Sequence, residues 1–104
     1  MEPKKIEILV RKFYGLSVLA HVSHINTRVF AQHEALGEFY GKVNDVKDRL
    51  IEYCIGKNYM QKVDAAIVEV GSDIIGQAST VADYFCELAE EMEDEALCNI
   101  AGEF

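Results

Sequence analysis

A chain of 104 residues, half of them apolar, is long enough for one domain with a real core and too short for two. Its single proline, its lack of tryptophan and its lack of low-complexity tracts exclude a linker or a disordered arm, and no apolar run approaches the ~20 residues that a bilayer span needs. The net charge of −8 is unevenly divided: residues 1–63 carry ten Lys and Arg against seven Asp and Glu, whereas 64–104 carry eleven acids and no base, so direct DNA binding is not expected.

The acidic half reads first as a solvated helix face, with a cation-attracting surface or an imitation of nucleic-acid charge as sharper alternatives. The N-terminus MEPKKIEILV lacks the apolar region and small-residue cleavage site of a signal peptide, which makes a cytoplasmic location the expectation. Cys54, Cys86 and Cys98 are odd in number and sit in apolar helical patterns rather than CxxC pairs, so they are expected to be reduced core thiols.

In chain order, Pro3 marks a helix start, and Ile6, Leu9, Val10, Phe13, Leu16, Leu19 and Ala20 keep a helical period up to Asn26. Tyr14, Val18, His21 and Ile25 form a neighbouring row. Asn26 and Thr27 offer a cap or turn, and so short a link predicts that the next helix packs antiparallel. That second helix is expected over about 28–56, and the rest of the chain is expected to be organised around the stretch 28–57. Val29, Leu36, Tyr40, Val43, Val46 or Lys47, Leu50 and Cys54 form its apolar stripe, and His33, Asp48 and Glu52 are expected to be buried along or beside it. Gly56 ends it. Residues 59–70 are ambiguous: Ala65, Ala66, Ile67 and Val70 suit either a short helix or the opening of the third. From about Ser72 to Met92, Ile75, Ala78, Val81, Ala82, Phe85, Leu88 and Ala89 recur at helical period. After the acid cluster 90–95, Leu97, Ile100, Ala101 and Phe104 sketch a last helix of about three turns. Nothing reads as a strand. The fold class is therefore all-α, a single-domain antiparallel helical bundle over residues 1–104 with a shortened last helix.

Imidazoles and carboxylates at helix-turn spacing are what a bundle uses to hold a metal. His21 and His33 lie on helices joined by a turn, so packing can bring both near one point. Asp48 and Glu52 fall roughly 60° and 100° round the second helix from His33, and about 22 Å separates His33 from Asp48 along the axis. One chain cannot gather all four. A site made of them demands a two-fold dimer in which His21 and His33 of one chain face Asp48 and Glu52 of the other. Phosphate-cradling loops, nucleophile elbows and zinc-ligand spacings are absent, and the five tyrosines read as core residues with hydrogen-bonded hydroxyls.

From His21 to Glu52 the chain resembles the Dps-type mini-ferritins of the ferritin-like superfamily. Their pattern runs His, eleven residues, His-Glu, an acid four residues after that His, then Asp and Glu one turn apart. Here His21, eleven residues, His33-Glu34, then Asp45, Asp48 and Glu52 keep that register without a gap. The segment HEALGEFY at 33–40 is similar to short ferritin-like proteins encoded by tailed bacteriophages. The resemblance implies a ferritin-like bundle that binds iron through His21, His33, Asp48 and Glu52, with Glu34, Glu38, Asp45 and His24 as supplementary ligands and a ferroxidase site across a two-fold interface. It also implies a homo-oligomer, at least a dimer. The chain departs from the pattern at Gly37, where the family has an acid, at Val22, where it has tryptophan, and in its short last helix. These departures keep a second reading open: a catalytically inactive helical oligomer serving as a structural or protein-binding module.

Overall fold

A computed structural model describes residues 3–63 and 70–104. It contains four helices, α1 (Pro3–Asn26), α2 (Phe30–Gly56), α3 (Ile74–Glu91) and α4 (Glu95–Glu103), and no strand among the described residues. The chain is an all-α bundle, and none of its described helices is long and apolar enough to cross a membrane. The alternative readings of 59–70 fall largely on 64–69, outside the described residues; Val70 lies just before α3, exposed and not helical.

Local chemistry sets the helix ends. Thr27 accepts a hydrogen bond from the Val29 N–H at 3.4 Å and donates to Gln32 Oε1 at 2.9 Å, turning the chain between α1 and α2. Val29, in extended conformation, is the N-cap of α2 and supplies no side-chain oxygen, so α2 starts at Phe30 rather than at 28. It then runs unbroken through Gly37 and Gly41, each of which costs only ~1 kcal/mol in a helix. Gly56 is its last residue, and the left-handed position beyond is taken by Asn58 (φ 61°), a side chain that tolerates it. Asp73 and Asp94 cap α3 and α4 by accepting the N–H groups of Gly76 and Leu97.

The centre of the bundle is α1, not the longer α2. All seven apolar residues assigned to its inner face are buried, and Ser17 beside them is buried against Asn44, to whose Oδ1 it donates at 2.6 Å. Contacts with α2 climb that helix as they descend α1: His33 with His24, Tyr40 with His21, Asn44 with Ser17, and Lys47 over the Tyr14 ring. Contacts with α3 follow the same rule, with Lys12 over the Tyr84 ring and Lys5 paired to Glu91 at 2.8 Å. Among the described residues α2 and α3 have no close backbone approach; each lies against α1, and α4 joins them. Phe13 meets Phe85 edge-on at 5.7 Å and Phe104 at 5.1 Å, so one ring ties α1, α3 and the end of α4 together.

The short α4 decides how far the core extends. It starts beside the end of α2, where Asp94 accepts from Tyr53 and Tyr59, and finishes where Glu103 pairs with Arg49 and Phe104 meets Phe39. Nine residues span only about 13 Å, so the first turns of α2 have no fourth helix over them. Val43, Val46, Leu50 and Cys54 are buried as the stripe predicts, but Leu36 and Tyr40 are half-buried and Val29 is exposed. Ile75 is 81 % exposed while Ile74 packs on the core, a correction of one residue to the face of α3. Cys54 is a core thiol and Cys98 is half-buried, but Cys86 is exposed; all three are free.

Candidate functional site

The open end of the α1–α2 hairpin holds the histidines. The loop of only three residues brings the last turn of α1 against the first turns of α2, and there His24 and His33 clasp each other. The Nδ1–H of His24 donates to the His33 carbonyl at 2.7 Å, and the Nδ1–H of His33 donates to the His24 carbonyl at 2.8 Å. Their rings stack at 3.9 Å with 22° between the planes. A carbonyl can only accept, so both rings carry a proton on Nδ1, and Nε2 is the atom left to ligate a metal; this is how a second hydrogen bond fixes a ligand tautomer.

Gly37 belongs to this clasp. A Cβ built there would lie 2.8 Å from Cε1 of His24, so the imidazole occupies the space that any larger residue would need. The glycine at this position thus has a local physical role. His21, one turn earlier on α1, stacks on Tyr40 at 4.8 Å rather than meeting His33. The pair brought together is His24–His33, not His21–His33.

The carboxylates of α2 are spread along its length. Glu34, Glu38, Asp45, Asp48 and Glu52 are exposed, as are His21 and His33, which corrects the expectation that His33, Asp48 and Glu52 are buried along the stripe. Asp45 reaches Arg49 at 3.9 Å. Among the described residues, no three His, Cys, Asp or Glu side chains converge closely enough to hold a metal ion within one chain. Within one chain these groups stay spread along α2: His33, Glu34 and Glu38 near its head, and Asp45, Asp48 and Glu52 further along.

A different polar cluster was hidden in the acid run 90–95. The Asp94 carboxylate accepts from Tyr53 at 2.7 Å, from Tyr59 at 2.5 Å and from the Leu97 N–H at 3.0 Å. Partial burial alone would push this carboxyl up; the bonds from Tyr59, Leu97 and Tyr53, with the charge of Lys57, outweigh it and hold Asp94 below the usual carboxylate range. Hydrogen bonding to the carboxylate, reinforced by desolvation, pushes both tyrosines up to about 12. Burial and the same negative charge push the Cys54 thiol up to about 12, which leaves it inert. The sequence signal was an Asp three residues before Leu97 at the head of an apolar run, an N-cap pattern. This cluster fastens the end of α2, the following turn and α4; it presents no open coordination position.

An open cleft of about 510 Å³ lies between α1 and α3, with Arg11, Lys12, Gln77 and Thr80 among its lining residues. Gln77 closes part of its rim by accepting from the Gly71 N–H, and none of the candidate ligands lines it. No protein-family model, curated protein or solved structure matches this chain.

Proposed function

We propose that this chain is a ferritin-like iron-binding protein whose site is completed by a second copy, with His21 and His33 contributed by one chain and Asp48 and Glu52 by the other. The observation that carries the reading is the tautomer lock at His33: with Nδ1–H committed to the His24 carbonyl, Nε2 is set as a ligand atom on an exposed ring. Exposed Asp48 and Glu52, one turn apart, supply two carboxylates to one ion, and a cation between them relieves their mutual repulsion. Imidazole with carboxylate oxygen is a donor set suited to iron.

The order of contacts supports a ferritin-like antiparallel bundle. Both α2 and α3 run back along α1, so the two point the same way along it. Consecutive helices that run parallel need a crossover connection, as in ferritin-like topology. Glu34, Glu38, Asp45 and His24 remain supplementary, and His24 already serves the clasp. With the His24 ring over Gly37, no carboxylate is available at that position. A second metal position is therefore weak, and oxidation is slow or absent. That same feature favours the alternative reading, a helical oligomer without catalysis that acts as a structural or binding module.

Anaerobic titration of ferrous iron into the wild type and into His33→Ala and Glu52→Ala separates the two. Saturable binding lost in both variants is expected, followed by slow oxidation on addition of peroxide. Equal binding in all three proteins would dismiss the site.

A further inference from the structure

We propose that the open cleft between α1 and α3 binds a small phosphomonoester, its phosphate gripped by Arg11, Lys12 and the Gln77 amide and its apolar ester group laid on Ile8, Val70 and Val81. The cleft shares no residue with the iron site proposed above and stands or falls apart from it.

Matched spacing on two helices builds the cleft. Ile8, Arg11 and Lys12 sit at i, i+3 and i+4 on α1, and Gln77, Thr80 and Val81 repeat that spacing on α3, so one side of each helix borders the same space. Its volume of about 510 Å³ lies within the roughly 300–1,000 Å³ of small-molecule sites.

Charge sets the class of ligand. Arg11 and Lys12 both line the cleft, and no Asp or Glu is among the lining residues. Neither cation makes an ion pair with a described residue. On the α3 side, Asp73 spends its carboxylate on the Gly76 N–H. Lys12 lies over the Tyr84 ring, with Nζ 5.2 Å from the centroid, which holds the ammonium beside α3 without neutralising it. Arg11 is exposed, and its planar fork suits two oxygens of one oxyanion. Two uncompensated cations in a chain of net charge −8 match an anion that carries close to two charges, as a phosphomonoester does and a carboxylate does not.

Hydrogen bonds fix the neutral groups. The Gly71 N–H can only donate, so Gln77 turns Oε1 toward it at 3.1 Å, and the two Nε2 hydrogens remain as donors. Glycine is required at 71, because a Cβ there would overlap Oε1 of Gln77. A preset amide donor beside two cations is an oxyanion-binding arrangement. The Thr80 hydroxyl donates to the Gly76 carbonyl at 2.9 Å, so toward a ligand it can only accept, and a singly protonated phosphate has one hydrogen to give. Ile8, Val70 and Val81 make the rest of the lining aliphatic, a surface that gains when an apolar ester group covers it.

Titration of n-hexyl phosphate, inorganic phosphate and hexanoate into the 15N-labelled full chain at constant ionic strength tests this. Hexyl phosphate should bind saturably, on the millimolar scale expected of so small a ligand, and should displace the amide signals of Arg11, Gly71 and Gln77. It should bind about tenfold or more tighter than inorganic phosphate, which lacks the chain, or hexanoate, which lacks the second charge. Arg11→Gln and Gln77→Glu should each weaken it about tenfold or more with helical circular dichroism unchanged. Gln77→Glu keeps the acceptor for Gly71 and replaces the two donor hydrogens with a negative charge. Val70→Ser should weaken hexyl phosphate about threefold and leave inorganic phosphate unchanged. The proposal is overturned by an absence of saturable binding, by inorganic phosphate or hexanoate binding as tightly as hexyl phosphate, by equal binding in the wild type and Gln77→Glu, or by shifts confined to other surfaces.

Discussion

The two ends of the bundle are built on different terms. At one end the last turns of α2 and the start of α4 are fastened by a single carboxylate that satisfies Tyr53, Tyr59 and the Leu97 N–H at once, with the Arg49–Glu103 ion pair alongside. At the other, two imidazoles clasp backbone carbonyls across the α1–α2 loop, while Val22, Ile25, Val29 and Phe30 stay exposed. A short fourth helix covers only one end, so buried apolar contact concentrates there and the opposite end stays open. The difference teaches that the closed and open parts of this bundle are separated along the helix axes.

The separation can be broken most strongly from the closed side. Phe13→Ala removes the ring that joins Phe85 and Phe104 and is expected to cost about 3–5 kcal/mol, read as a lower urea midpoint at unchanged slope. Phe30→Ala, an aromatic deletion at the open end, should change the stability of the monomer by less than about 0.5 kcal/mol. Equal losses from the two would refute the contrast. Asp94→Ala comes next: it removes a helix cap and the acceptor of two hydroxyls, and about 2 kcal/mol of destabilisation is expected in thermal melts.

The dependence on pH sharpens the same contrast. Asp94 titrates lower in the fold than in the unfolded chain, so its contribution is complete above the unfolded value, ~3.9, and is lost as pH falls through the folded one. Tyr53 and Tyr59 titrate higher in the fold, so their contribution is complete below the unfolded value, ~10, and fades as pH rises toward about 12. Urea midpoints should be flat between these limits in the wild type, and Asp94→Asn should remove most of the acid limb.

Smaller effects follow. Gly37→Ala should shift stability by less than about 1 kcal/mol, since the gain in helix propensity offsets the lost clasp. It should nonetheless displace His24, and 15N NMR should report loss of the fixed Nδ1–H tautomer at His24 and His33. Glu93 sits exposed in the left-handed region (φ 54°) between α3 and α4, so Glu93→Gly should raise the melting free energy by roughly 0.5–1 kcal/mol.

Much of the candidate site could be read in the sequence as a set of residues, but not as an arrangement. His21, His33, Asp48 and Glu52 stand out by type and spacing, and their angular separations on α2 follow from the helical repeat alone. Which imidazole faces which depends on the three-residue loop and the tilt of α1 on α2, and it is His24 that meets His33. Gly37 looked like a missing ligand; the packing of the His24 ring gives it a steric reason. Asp94 was submerged in a run of acids because a carboxylate that accepts from distant hydroxyls has no signature in its neighbours beyond its capping position.

By itself the sequence determined four helices, the inner face of α1 in full and the core half of α2, because an apolar period fixes which side of a helix is driven out of water wherever a neighbour is present. Only the tertiary structure decided how far along each helix that neighbour reaches. Val29 and Val43 belong to one stripe, yet the first is exposed and the second fully buried, because α4 ends beside Phe39 and Arg49. Periodicity encodes direction around an axis; coverage along the axis depends on the length and placement of other helices, which no local pattern in α2 contains.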